Sequence, residues 1–325
     1  MAVRAAPLLG RRHRAQPHQA LTAPSIQHTA HRSTATPAAA LSRRFAVPSP
    51  VLPERAARAA LAAHFTPAQL AAELAQFSAH EVWEQRVRSD NSGHLAQYNP
   101  TDELANAQLS CQFVIPSDEV WPAALADLGP DCPLGLWARG HDQLPQLTAS
   151  AVAVTGNRNA TEQAITRARA FATAVAEAGH TVTATLAYGV DAAAHRAAAL
   201  AGRATLAVLP RGLDRAHPHD HAQLLSSVPA TGGAVVSLYR PGTEASGATL
   251  RASATLLAAL VRAVILIEAL DHPEAAMHTA QVAADLRPLL TPPATEGIRA
   301  DGSARLLAEQ RAVLVPNPAQ ALALL

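Results

Sequence analysis

The sequence lacks lysine entirely: all 26 basic residues of the 325-residue chain are arginines. Together with the frequent alanine and proline, this suggests a GC-rich genome more than a chemical requirement. Aromatic residues make up only 3% of the chain. Side chains on which nucleic-acid bases could stack are therefore few.

Cysteine and long apolar segments are also scarce. Cys111 and Cys132 are the only cysteines, which excludes a disulfide framework, and no Cys-x-x-Cys pair indicates a zinc site. No apolar run reaches the roughly 18 residues that a membrane helix needs. We therefore expect a soluble protein of the reducing cytoplasm, with no membrane partner.

Charge is distributed unevenly, although the formal net charge is only +1. Residues 1–53 contain seven arginines and no acidic residue, whereas residues 54–150 contain five arginines and twelve acids. Residues 151–325 contain fourteen arginines and thirteen acids. The main part of the chain is not a basic domain, so a nucleic acid would have to bind through a local patch.

The N-terminal part of the chain predicts two regions. Residues 1–52 have no helical or strand period and predict a disordered basic tail. An organellar transit peptide and a mis-assigned upstream start codon would give the same composition, and a basic arm that touches DNA is the functional alternative. Residues 53–108 predict a helical region, with segments 53–63 and 67–77 each opening on a proline suited to a first helical turn.

Residues 109–325 show short apolar runs that alternate with helical segments. The predicted strands are 111–115, 134–138, 151–155, 181–185, 204–209, 234–238, 263–267 and 312–315. The predicted helices between them are 118–128, 161–178, 191–201, 250–260 and 274–286. This order predicts an α/β fold, an extended Rossmann-like doubly wound and mainly parallel sheet with helices on both faces.

Arginine and glycine recur in the turns after the predicted strands. The turn residues that could meet an anion are Gly156, Arg158, Tyr188, Gly189, Arg211, Arg215, Arg240 and Arg251. Ligands of a doubly wound sheet bind beyond the carboxyl ends of its strands, and the planar fork of arginine suits phosphate. We hypothesise that these arginines form an anion site. The alternative is that each is a solvated turn residue or pairs with Asp191, Asp214 or Glu244.

Other polar residues do not predict catalysis. Asp191 and His195 share a helix face, and we expect Asp191 to satisfy N–H groups at the helix start while His195 packs nearby. The His-rich cluster 217–221 has the composition of a metal site but irregular spacing on a loop. Ser237 lacks the sequence of a nucleophile elbow. We therefore expect no catalytic residue, no metal and no cofactor.

Seven blocks follow one another in a recognisable order. They are residues 113–122, 136–140, 156–161, 186–195, 207–218, 232–242 and 267–280. The most specific is Leu186-Ala187-Tyr188-Gly189-Val190-Asp191 with Ala194-His195, which resembles a Leu-Ala-x-Gly-Ile-Asp-x-x-Ala-His signature. In order and spacing, the blocks resemble the core of the DprA/Smf family of single-stranded-DNA-binding proteins.

The resemblance implies a homodimeric binding protein that protects single-stranded DNA and loads the RecA recombinase in transformation or recombination, without a catalytic step. It implies a phosphate contact for Arg158. With the turn residues above, the predicted DNA- or phosphate-binding set is Gly156, Arg158, Thr161, Tyr188, Gly189, Arg211, Arg240 and Arg251. Some family members carry a C-terminal winged helix, and we expect none here.

The chain departs from the family pattern mainly at polar positions. Residues 184–185 replace Ser-Gly, residues 253–255 replace Arg-Asn-Arg, and residues 274–276 replace Ser-Gly-Ser. A degenerate paralogue that has lost DNA binding is therefore one alternative. The other is a Rossmann-like nucleotide-binding enzyme similar to nucleotide N-glycosidases. Those enzymes have a Pro-Gly-Gly-x-Gly-Thr-x-x-Glu segment, and residues 241–244 do not match it.

Overall fold

The computed structural model describes residues 52–272, 274–294 and 300–325. Apart from Leu52, the predicted basic tail lies outside these residues. The strands are β1 Gln112–Val114, β2 Leu136–Arg139, β3 Ala151–Thr155, β4 Thr181–Thr185, β5 Thr205–Leu209, β6 Ala234–Ser237, β7 Ala263–Leu266, β8 Leu289–Thr291 and β9 Val313–Leu314. The α-helices are α1 Glu54–His64, α2 Pro67–Leu74, α3 Ala79–Ser89, α4 Pro100–Gln108, α5 Leu144–Ala149, α6 Glu162–Glu177, α7 Val190–Leu200, α8 Ala222–Ala230, α9 Gly247–Leu260, α10 Ala275–Leu286, α11 Asp301–Ala308 and α12 Pro318–Leu322.

Within the described ranges, the strands form one nine-stranded sheet in the order β1-β2-β6-β5-β4-β3-β7-β8-β9. Strands β3 to β9 are parallel to one another, and β1 and β2 add an antiparallel edge. The predicted α/β class with a mainly parallel sheet is confirmed. From β3 the chain builds outward through β4, β5 and β6, and then returns to place β7 on the other side of β3. This reversal creates a crevice between β3 and β7 at the carboxyl edge of the sheet.

Both faces of the sheet are covered, as the continuous apolar strands require. In β3, Val152 and Val154 pack among residues of α6 and α7, whereas Ala151 and Ala153 pack among residues of α9 and α10. Successive side chains of a strand point to opposite faces, so one short strand contributes to both layers. Each fully buried valine of this kind contributes about 2 kcal/mol of hydrophobic stabilisation.

The N-terminal helices share a core with the antiparallel edge of the sheet. Ala56 of α1 and Leu104 of α4 cluster with Phe113 and other residues of that edge. The Arg55 guanidinium donates to the Asp118 carboxylate, with Nη1 2.7 Å from Oδ2. This hydrogen bond lowers the pKa of Asp118. Among the described helices, none has the length and apolar character needed to cross a bilayer.

Several segments differ from the sequence prediction, which did not include helices α5, α8 and α11. Residues 118–128 were expected to be helical, but Ala123–Asp131 forms 3-10 turns instead. Gly129 there has a φ of 55°, and Pro130 has no N–H for a helical hydrogen bond. Strand β8 was missed because its three residues are too few to show a period.

The buried carboxylate of Asp191 joins the ends of β3 and β4. Its Oδ1 accepts a hydrogen bond from Thr155 Oγ1 at 2.7 Å, and its Oδ2 accepts one from the Thr185 N–H at 3.1 Å and another from the Thr185 hydroxyl. The expectation that Asp191 caps its own helix is therefore corrected, since the two threonines supply these donors. Burial raises the pKa of Asp191 to about 6.

His195, one turn further along α7, is buried beside the next strand. Its Nδ1 lies 3.0 Å from Thr205 Oγ1, and its Nε2 lies 3.4 Å from the Ala184 carbonyl oxygen. Burial lowers the pKa of His195 to about 4, so the ring is neutral at neutral pH. Asp191 and His195 thus bond to strand residues rather than to each other.

We expect Asp191→Asn to change how stability depends on pH. The pKa of Asp191 is about 6 in the folded chain against 3.8 as its ordinary value. Between these pH values the folded state holds the proton and the unfolded state has lost it, so the free energy of unfolding falls as pH rises through this window. The loss is on the order of 3 kcal/mol, and it is absent in the variant.

Urea unfolding of both proteins from pH 4 to pH 7 measures this effect. His195 acts in the opposite sense, because its pKa is lower in the folded chain and stability rises with pH as the unfolded state loses its proton. Both proteins retain His195, so the difference between them isolates Asp191. We expect the free energy of unfolding of the variant, relative to that of the parent, to rise with pH. A difference that does not vary with pH would contradict the raised pKa of Asp191.

Candidate anion-binding site

A cavity of about 330 Å³ lies at the carboxyl edge of the sheet. Its walls are the loops that follow β3, β4 and β5 and the first turns of α9 and α10. These elements flank the position where the strand order reverses between β3 and β7. Doubly wound sheets bind their ligands in this crevice, so the cavity is the candidate functional site.

Gly156 lines the cavity and holds the turn after β3 close to the loop after β7. A Cβ at this position would lie 2.8 Å from the Glu268 carbonyl oxygen, which leaves no room for a side chain. Asn157 then donates from Nδ2 to Glu268 Oε1 at 3.1 Å, and its Oδ1 accepts from the Leu270 N–H at 3.0 Å. The backbone that carries Arg158 is fixed by these contacts.

Gly189 provides the matching close approach from the turn after β4. It has a φ of +75°, a conformation that favours glycine. A Cβ there would lie 2.4 Å from the Asn157 carbonyl oxygen and 2.5 Å from that of Arg158. Gly189 therefore packs the two turns together and does not itself line the cavity.

Arg158 lines the cavity, and Tyr188 supports it. The guanidinium carbon of Arg158 lies 5.2 Å from the centroid of the Tyr188 ring. The Tyr188 hydroxyl donates to Asp220 Oδ2 at 2.6 Å, and the ring meets His221 at a centroid distance of 4.8 Å. Tyr188 belongs to the predicted DNA- or phosphate-binding set, and one face of its ring already carries Arg158. Its observed contacts orient that arginine.

Arg251, in the first turns of α9, is the second arginine on the cavity wall. It is exposed, as is Arg158. Burial, together with the charge of Arg251, lowers the pKa of His278. Within the part of the chain that the structure describes, neither Arg158 nor Arg251 forms an ion pair with an acid. Both guanidinium groups are therefore free to meet an anion.

The other arginines of the expected set have acidic partners and do not line the cavity. The pairs are Arg211–Glu244 at 2.9 Å, Arg240–Glu103 at 2.8 Å and Arg215–Asp214 at 4.0 Å. Arg211 is also buried. Of the five arginines expected to form the anion site, Arg158 and Arg251 line the cavity and the other three do not. Glu103 of α4 is a partner that the sequence did not suggest, because it comes from the N-terminal helices.

Thr161 has a structural position at the start of α6. Its Oγ1 accepts a hydrogen bond from the Ala164 N–H at 3.1 Å, which caps the helix. It lies outside the cavity wall. Of the eight predicted binding residues, the cavity therefore brings together Gly156, Arg158 and Arg251.

Glu274 and His217 line the cavity although the sequence analysis did not select them as binding residues. Burial and the charges of Arg158 and Arg211 lower the pKa of His217, which keeps its ring neutral at neutral pH. Among described residues, the Glu274 side chain has no hydrogen-bond or ion-pair partner. The one sequence signal that could have pointed to Glu274 was the departure from the family's Ser-Gly-Ser at residues 274–276.

Asp220 and His221 of the His-rich cluster 217–221 hold its loop against the turn after β4. His221 is buried, with Nδ1 2.6 Å from the Leu186 carbonyl oxygen, and Asp220 accepts from Tyr188. In residues 52–272, 274–294 and 300–325, no three His, Cys, Asp or Glu side chains come together in a group that could hold a metal ion.

Comparison with known proteins identifies the family. The sequence model of the DNA recombination-mediator protein A family matches residues 112–325. A putative DNA processing protein DprA of Mycobacterium tuberculosis is 34% identical over 168 residues, which cover 49% of this chain and 43% of that protein. The chain thus spans less than half the length of this relative.

Two solved structures share the fold. The X-ray structure of DNA processing protein A from Streptococcus pneumoniae superposes with a TM-score of 0.64 at 24% identity, over 84% of this chain and 93% of that one. DNA processing protein A from Helicobacter pylori gives a TM-score of 0.56 at 23% identity, over 64% of this chain and 92% of that one. Since the family model covers most of the chain, including every strand of the sheet described above, the protein belongs to the DNA recombination-mediator protein A family, the DprA/Smf proteins.

Proposed function

We propose that this protein binds single-stranded DNA and acts in DNA processing as a binding protein, not as an enzyme. The observation that carries the proposal is the meeting of Arg158 and Arg251, neither ion-paired among described residues, at a cavity of about 330 Å³. Family membership supports it, and the Helicobacter pylori relative has a single-stranded DNA binding mode. The strand's phosphate groups are the anions that these arginines would bind.

The surroundings of the two arginines favour a phosphate group. The first residues of α9 and α10, including Gly247 and Ala275, line the same cavity. Helix N-termini carry partial positive charge and free N–H groups, which attract phosphate. In α9 the Ser246 hydroxyl already accepts from the Thr249 N–H at 3.2 Å, whereas α10 has no side-chain cap, so its N–H donors are not occupied by a capping side chain. The arginine fork adds bidentate hydrogen bonds to this field.

We propose further that the bound strand is protected and passed to the RecA recombinase in transformation or recombination, by a homodimer in the cytoplasm. This part of the proposal rests on the family alone. A test is the loading of RecA onto DNA that is covered by a single-strand-binding protein. The rate of ATP hydrolysis by RecA reports the loading, and it is measured with and without this chain. Acceleration by the chain supports the role, and an unchanged rate contradicts it.

Charge reversal at Arg158 should impair DNA binding. We expect Arg158→Glu to weaken binding of a dT oligonucleotide at least about tenfold at low salt, because a charge-assisted hydrogen bond is lost and a repulsion is gained. Fluorescence anisotropy measures the affinity. Arg262→Glu is the matched control, since Arg262 is exposed directly before β7, at the amino edge of the sheet. Equal losses in the two variants would contradict a site at Arg158.

Arg251 should contribute one phosphate contact to the salt dependence. The logarithm of the binding constant falls linearly with the logarithm of salt concentration, by about 0.7 for each phosphate of a single strand that is neutralised. We expect Arg251→Ala to reduce this slope by about 0.7, whereas Arg262→Ala leaves it unchanged. If the parent chain does not bind the strand at low salt, the proposed function is wrong. The alternative that this chain is a family member that has lost its DNA site is then favoured.

A further inference from the structure

Glu274 is a polar residue of the cavity wall that phosphate binding leaves unused. Its main chain is fixed at the start of α10: the Glu274 N–H donates to the His272 carbonyl oxygen at 2.7 Å, and its carbonyl oxygen accepts from the His278 N–H at 3.0 Å. The residue lines the cavity and is partly buried. A carboxylate at the wall of a phosphate site repels the phosphate and can accept a hydrogen bond from another part of the ligand.

The other carboxylate of the wall and its hydroxyl groups are already engaged within the protein. Asp191 accepts from Thr155 and Thr185 through both of its oxygens. The hydroxyl of Ser253 donates to the Leu209 carbonyl oxygen at 3.1 Å. Within the described ranges, Glu274 is thus the lining carboxylate whose two oxygens both remain open to a ligand.

Two adjacent acceptors select among the bases. Guanine presents N1–H and the 2-amino group side by side on its Watson–Crick edge, which matches a carboxylate in bidentate fashion. Cytosine and adenine present a single amino group on this edge. Thymine presents one N–H between two carbonyl oxygens, and a carboxylate repels these oxygens. The volume of about 330 Å³ suits a base together with part of its sugar.

We propose that Glu274 makes the cavity selective for guanine, with the base edge on the carboxylate and the nucleotide phosphate on Arg158 and Arg251. The inference rests on the proposed function, because the same cavity holds the strand. The ligand is a guanine nucleotide, either within a single strand or as a free nucleotide. No covalent step is involved.

Oligonucleotides that differ at one base test the selectivity. In a dT strand, the central base is replaced by guanine, by hypoxanthine (which lacks the 2-amino group) or by 2-aminopurine (which lacks N1–H), and affinity is measured by fluorescence anisotropy. We expect the guanine strand to bind on the order of tenfold more tightly than all-dT, and the two analogues to fall between them. Equal affinities for the guanine and all-dT strands would overturn the proposal.

The variant Glu274→Gln assigns the selectivity to the carboxylate. We expect it to lose the preference for guanine, so that the guanine and all-dT strands bind this variant with equal affinity. Glu162→Gln is the matched control, because Glu162 is an exposed carboxylate in the first turn of α6 that does not line the cavity. A guanine preference that survives in Glu274→Gln, or is lost equally in Glu162→Gln, would overturn the assignment. Unchanged thermal unfolding shows that each variant folds.

Calorimetry with free dGMP and dTMP separates this inference from the proposed function. If no strand binds at low salt but dGMP binds more tightly than dTMP, and Glu274→Gln removes that difference, then DNA binding is wrong and the guanine site stands. If all-dT binds and guanine gives no advantage in a strand or as dGMP, the guanine site is wrong and DNA binding stands. If neither strand nor nucleotide binds, both are overturned.

Discussion

The carboxylate of Asp191, buried between the ends of β3 and β4, is the interaction on which the site depends. It accepts hydrogen bonds from Thr155 and Thr185 and so fixes where the two strands stop. Gly189 can then approach the backbone of Arg158 more closely than any side chain would allow. Burial raises the pKa of this carboxyl group and therefore lowers the free energy of unfolding at neutral pH. This loss of stability accompanies the hydrogen bonds that hold the two turns in place.

Charge at the carboxyl edge is divided between structure and function. Arg211 and Arg240 pair with Glu244 and Glu103, and these pairs join loops and the N-terminal helices to the sheet. Arg158 and Arg251 lack such partners in the described chain and lie on the cavity wall. A chain with a net charge of only +1 can therefore present a local anion site without being a basic protein.

Sequence patterns predicted the fold better than the site, for a physical reason. Strand β3 is a largely apolar run, and its bounds were predicted to the residue because burial on both faces dictates composition. Arg158 and Arg251 could be predicted as edge residues, since the topology brings all such turns together. Which arginines remain unpaired depends on Glu103 and Glu244, whose positions follow from tertiary packing. For the same reason the departure from Ser-Gly-Ser at residues 274–276 did not by itself indicate that Glu274 lies at the cavity.

If the strand binds as proposed, one of its phosphates lies on Arg158 at the switch point of the sheet. A crystal structure of the chain with a short single-stranded oligonucleotide tests it most directly. We expect a phosphate oxygen about 3 Å from the Arg158 guanidinium, with the adjoining base inside the cavity. A strand that binds on another surface, with the cavity free of nucleotide, would contradict it.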